Sequence, residues 1–194
     1  EEPKLPEVDA EFAKSLRIVD GDVAKMRDEV KANLEREVKR RIQAKVKEQV
    51  MDRLLEVTPF EVPKALVEAE SAELAENARR DLESRGMKTK DIPVEPSWFA
   101  DQALRRVKLG LIMAELVKGN ELHATAEQIR AVVDEMAQSY EDPSELVRWY
   151  YAQGDRLAQV EAIVIEDNVV AWVSEKAQTT DKPIDFDELM GNAA

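Results

Sequence analysis

From Asp22 to about Val57 the chain contains neither glycine nor proline. Apolar side chains recur there at every fourth position: Met26, Val30, Leu34, Val38, Ile42, Val46, Val50 and Leu54. This spacing predicts one helix, roughly 50 Å long at 1.5 Å per residue. Four residues turn a helix by about 400°, so each step carries the stripe about 40° around the axis. Seven steps take it roughly 280° around, which a supercoil of period 3.5 cannot follow. The stripe is also narrow, with Arg36, Lys39, Arg40, Arg41 and Lys45 beside it. The expected element is therefore a strut. It meets different partners at its two ends and solvent around its waist.

Turn residues divide the rest of the chain. Asp9 is placed to cap a short helix over Ala10–Leu16 that holds Phe12 and Leu16 on one side, and Asp20-Gly21-Asp22 makes a turn. Thr58-Pro59 stops the strut. Pro63, as a first helical residue, opens a helix that Gly86 closes. Residues 87–94 form a loop, with Met87 and Ile92 as its apolar members. Pro96 opens a further helix that Gly119-Asn120 ends. Its second half is apolar almost all round, which marks it as the most buried helix. Gly154-Asp155 begins a last long helix to about Ala177. A short extended piece is expected at residues 178–180, then a turn of helix capped by Asp185. The fold class is all-α, with a long strut helix and protruding helical-hairpin arms around 63–119 and 120–177. Residues 1–8, acidic and carrying two prolines, read as a linker from something upstream of a helical domain over 9–194.

Between Thr125 and Tyr151 two short helices meet at a corner, Glu141-Asp142-Pro143. Thr125 with Gln128 forms one capping box and Asp142 with Glu145 a second, Pro143 taking the first helical position. Ile129, Val132, Val133, Met136 and Tyr140 make one apolar stripe. After the corner Leu146, Trp149 and Tyr150 occupy one face, and Val147 and Tyr151 the adjoining one. Five large groups in under two turns must be wrapped by other helices or leave apolar surface in water. Pattern alone leaves both readings open. Hairpins on a strut have little interior, and Met and aromatic side chains adapt to varied partners.

Little else points to chemistry. The single histidine, His123, cannot build a transition-metal site without cysteines or placed carboxylates, and the chain has no cysteine. There is no glycine-rich phosphate loop and no G-x-S-x-G elbow. Acidic and basic residues alternate at helical spacing as on solvated faces. No catalytic, cofactor-binding or metal residues are therefore assigned. The net charge of −13 opposes contact with nucleic acid or anionic lipid. Lys39-Arg40-Arg41, with Glu35, Glu37 and Glu48 around it, reads as a salt-bridged waist. Lack of cysteine fits a reducing cytosol.

LPEVDAEFAKSL near the start, VPKALVEAE at Val62–Glu70, EMAQSYEDPSELVRWYY at Glu135–Tyr151 and FDELM at Phe186–Met190, in that order, resemble the C-terminal domain of trigger factor, the bacterial ribosome-associated chaperone. The resemblance runs over essentially the whole chain. It implies a body with two arms and a partly apolar cradle that holds unfolded, newly made polypeptides without ATP, in the cytoplasm, assisting folding and export. It places client contacts at Met136, Tyr140, Leu146 and Trp149, to which the corner pattern adds Tyr150. The family's ribosome-docking loop, G-F-R-x-G-x-x-P, does not occur in this sequence, and neither does its prolyl-isomerase domain. Ribosome binding and isomerisation are thus expected only of a longer protein, while a homodimer is compatible with the family. The rival expectation is a structural helical module for self-association or for docking to one fixed partner.

Overall fold

A computed structural model describes residues 7–87, 93–138, 140 and 142–191. Every regular element among them is helical: α1 (Ala10–Ser15), α2 (Val23–Val57), α3 (Lys64–Ser84), a 3-10 turn (Pro96–Phe99), α4 (Ala100–Asn120), α5 (Ala126–Ala137), α6 (Pro143–Tyr151), α7 (Gly154–Lys176) and α8 (Phe186–Met190). The all-α expectation holds. Most of the expected linker, the loop residue Ile92 and Glu141 of the corner lie outside the described residues. The chain forms two compact units, residues 1–46 with 180–194, and residues 47–179.

In the first unit Asp9 caps α1 by accepting a hydrogen bond from the Phe12 amide at 2.9 Å. Leu16, expected beside Phe12, is exposed, and Ile18 is buried instead. Arg17 adopts a left-handed φ of 68° that turns the chain back. The Ile18 amide then bonds the Ala13 carbonyl at 3.1 Å, and Ala13, Ile18 and Met26 pack together. Gly21 is required at the next turn: its φ is +69°, and a Cβ there would sit 3.0 Å from the Ala10 carbonyl oxygen. Asp22 then caps α2 through the amides of Ala24 and Lys25, at 2.8 and 3.2 Å. The helix α8 begins at Asp185, whose carboxylate accepts from the Asp187 amide, and it buries Leu189. Arg41 of α2 donates to the last carbonyls of α8, Met190 at 3.0 Å and Leu189 at 3.4 Å. A cation at a helix C-terminus satisfies orphan acceptors and the macrodipole together.

In the second unit the end of α2 meets a different partner set. Leu54 packs with Ile112 and Val117 of α4 and Val169 of α7. The strut reading is thus correct at both ends and at the waist, where Val30, Leu34 and Ile42 are 45%, 46% and 43% exposed. Pro63 caps α3 rather than entering it, and Pro96 opens the 3-10 turn rather than the α-helix. The helix α3 packs on that turn and on α4, burying Leu74 and Ala75, with Ala103 buried on α4. The expectation that α4 is the most buried helix is not met. Ala103, Ile112 and Val117 are inside, no more residues than α3 or α7 buries, and Leu111 in its apolar second half is exposed, as is Leu104 in the first half. The helix α4 ends at Asn120, as Gly119-Asn120 led one to expect, with Glu121 as its left-handed C-cap. Residues 178–180 form no strand.

Candidate functional site

Thr125 and Gln128 form the complete capping box at the start of α5, the Thr125 hydroxyl accepting from the Gln128 amide and the Gln128 side chain from the Thr125 amide. The Gln128 amide group is fixed in turn by Asn168 of α7 at 2.8 Å. Asn168 also donates to the carbonyls of Leu122 and His123, holding the entrance of α5 to α7. Asp142 caps α6, with Pro143 first in the helix, and accepts from the Glu145 amide at 3.1 Å. The local signals thus place both helices, although the second box is met only by the Asp142 cap.

One face of this pair is core. Val133 of α5 is fully buried against Val160 and Val164 of α7, and Val147 and Tyr150 of α6 pack onto that cluster. The other face is open. Tyr140, Asp142, Glu145, Leu146, Trp149 and Tyr150 line a concavity of about 660 Å³. Tyr140 is 58% exposed and Trp149 49% exposed, while Leu146 and Tyr150 are half-buried. Four of the five residues singled out in the sequence therefore share one surface. Met136, half-buried on α5, does not line it. Tyr150 has a double position, its ring contributing to both the core margin and the concavity.

Two contacts pre-set the Trp149 ring. It meets Tyr150 edge to face at 5.1 Å between centroids. The Arg156 guanidinium sits 3.6 Å from its centroid, while Nη1 donates to the Trp149 carbonyl at 2.6 Å. Arg156 was not evident as a participant in the sequence. It lies beyond the Gly154 break, and only the turn into α7 brings it back over α6. On the adjoining face Arg130 lies 5.9 Å over the Tyr151 ring and pairs with Asp134 at 2.9 Å. Arginines stacked on the rings and carboxylates of Asp142 and Glu145 at the rim give this surface a π-rich floor with charge at its margin. Such a surface can take up apolar side chains of another polypeptide. Among the described residues that line it, no nucleophile is paired with a base. Among the described residues no group of three His, Asp or Glu is placed to hold a metal ion. Nor is any helix among them long and apolar enough to cross a membrane.

Residues 22–175 match the family model described as the bacterial trigger factor protein C-terminus. A protein of Azoarcus sp. (strain BH72) named trigger factor is 77% identical over 194 residues, covering 100% of this chain and 44% of that protein. A trigger factor of Aromatoleum aromaticum is 74% identical, covering 100% of this chain and 45% of that protein. One of Dechloromonas aromatica is 60% identical over 189 residues, 97% of this chain and 44% of that protein. The chain thus spans less than half the length of these relatives. With a family model over most of its length and an all-α architecture to match, the chain belongs to the bacterial trigger factor C-terminal family.

Proposed function

We propose that this chain is an ATP-independent chaperone domain that holds unfolded or newly made polypeptides against the open aromatic face of the α5–α6 corner. The supporting observation is that Tyr140 and Trp149 stay about half exposed around a concavity while the residues behind them are core. A patch of this kind is weak alone, since 100 Å² of buried apolar area contributes about 2.5 kcal/mol before ordering costs. Several weak patches on one domain supply avidity without demanding a particular client sequence. Leu146 and Tyr150 share the lining of that concavity, and Met136, half-buried on α5 and outside the concavity, is the fifth proposed contact. The action is cytoplasmic binding, not catalysis. Ribosome docking and prolyl isomerisation belong, in this reading, to parts of the protein outside this chain, and help with export follows from holding clients unfolded.

The test replaces Met136, Tyr140 and Trp149 with Ala and follows light scattering of a chemically unfolded client on dilution. The triple variant is expected to need several-fold more protein for equal suppression of aggregation, with an unchanged far-ultraviolet circular dichroism spectrum. Undiminished suppression by a folded variant overturns the assignment. Titration against several unrelated unfolded proteins separates a holdase, which binds most of them, from a module with one fixed partner.

A further inference from the structure

Arg156 stands outside the concavity at the corner but against one of its walls. Its guanidinium lies 3.6 Å from the centroid of the Trp149 ring, stacked on a face of the indole. Trp149 lines the concavity and Arg156 does not, so the guanidinium sits behind the wall rather than in the space it encloses. Tyr150 meets the same ring edge to face at 5.1 Å. Two neighbours thus brace an aromatic side chain that is 49% exposed. The arginine is itself tethered. Its Nη1 donates at 2.6 Å to the Trp149 carbonyl, one of the last four of α6, which lack amide partners within the helix. It also lies in the first turn of α7, a helix anchored in the core by Val160 and Val164. Among the described residues it pairs with no carboxylate.

We infer, on the chaperone reading of the corner, that Arg156 is a positioning residue for the client surface: it holds the Trp149 indole as a standing wall without touching the client. A half-exposed tryptophan with nothing behind it spreads over several staggered rotamers and exchanges among them quickly. A client docking against such a ring must first order it, and that cost is subtracted from affinity. A ring already backed by a cation loses less freedom on binding. Arginine suits the task because its planar guanidinium stacks on the indole while its fork still reaches the carbonyl, which a lysine ammonium does less well. The rival role is a structural one, in which the carbonyl bond merely caps α6. The two roles differ in one respect. A cap supports the corner whether or not the indole is present, whereas a brace matters only through Trp149.

The experiment is a double-mutant cycle on the whole chain. The probe is a fluorescein-labelled twelve-residue peptide of Phe, Leu and Ser. Fluorescence anisotropy gives its affinity for the parent, Arg156→Ala, Trp149→Ala and the double variant. Arg156→Ala is expected to weaken binding about fivefold, the cost of ordering one large side chain. In the Trp149→Ala background the same change is expected to do nothing. Arg156→Lys, which keeps a cation and a donor, should fall between the parent and Arg156→Ala. A second measurement needs no client. With Trp98 and Trp172 replaced by Phe, the decay of intrinsic fluorescence anisotropy reports Trp149 alone. Arg156→Ala is expected to add a fast local component that the parent lacks. Equal losses in the two backgrounds would make Arg156 a cap of α6 and overturn the assignment, as would a Trp149 ring already mobile in the parent. No effect of Arg156→Ala where Trp149→Ala weakens binding overturns this assignment alone. Unchanged affinity in Trp149→Ala overturns the client role of the ring, and the role of Arg156 with it.

Discussion

Glu37 shows how much a single half-buried surface side chain can organise. Its carboxylate accepts from Arg41 Nε at 2.8 Å and pairs with Arg40 at 2.6 Å. Arg41 in turn holds the carbonyl end of α8. The Arg41 hydrogen bond, with the charges of both arginines, draws the Glu37 pKa below its ordinary value of 4.5. A carboxylate with a lowered folded pKa contributes stability above its unfolded value, and that contribution fades as pH falls through the folded value. Comparing the chain with its Glu37→Gln variant cancels the other titrating groups. The parent is expected to melt higher at pH 7, with the difference constant down to about pH 4.5 and vanishing below it. A difference independent of pH between 3 and 7 would remove Glu37 from this role. The pairing of Arg40 and Arg41 was legible because Glu37 stands at helical spacing from both, whereas Lys39, read as part of the same salt-bridged waist, makes no ion pair among the described residues. That Arg41 also reaches α8, far along the chain, was not legible, because nothing local records it.

At the scale of the element, α2 carries one apolar stripe whose members have unequal work. Leu54 is 8% exposed and packs with Ile112, Val117 and Val169. Leu34 stands in an open groove walled by Val8 and Phe12. Leu54→Ala is expected to destabilise the second unit by about 2–5 kcal/mol, since it removes buried methyl groups and leaves a cavity. Leu34→Ala should change stability by less than about 0.5 kcal/mol, because alanine's helix preference offsets the little packing that the leucine provides. Urea unfolding followed by far-ultraviolet circular dichroism, which reads the helices of both units, measures both, and similar losses of stability would contradict the division of the helix. Both leucines occupy the same place in the repeat, so spacing alone could not rank them. Helix existence and ends were legible where caps are local, as at Thr125, Asp142 and Gly86. The side of a helix that stays open was not, and α4 makes the point. Leu104 and Leu111 look like core by pattern, yet both are exposed. The concavity at the corner was anticipated through Tyr140 and Trp149, whereas the groove on α2 was missed because Val8 and Phe12 complete it from outside that helix.

For the whole molecule, the two units differ in how much apolar material each keeps dry. Among the described residues the first has one cluster, Ala13, Ile18 and Met26, together with the buried Leu189 of α8. The second has two clusters and the packing of α3 on α4, with valines at 133, 160 and 169 almost fully buried. Amides open by local unfolding at a free energy set by the apolar packing that breaks with them. Amides of α1, α8 and the first half of α2 should therefore exchange with deuterium well before those of α4 and α7. Within α2 the change is expected near Val46–Lys47, where the units divide. Continuous helix does not forbid this, because most helix stability in proteins comes from packing rather than propensity. A client held at the corner should slow exchange in α5 and α6 and leave the first unit unchanged. Uniform protection along the whole of α2 would mean instead that the units unfold together, and that the exposed middle of the helix is stabilised by something other than the packing described.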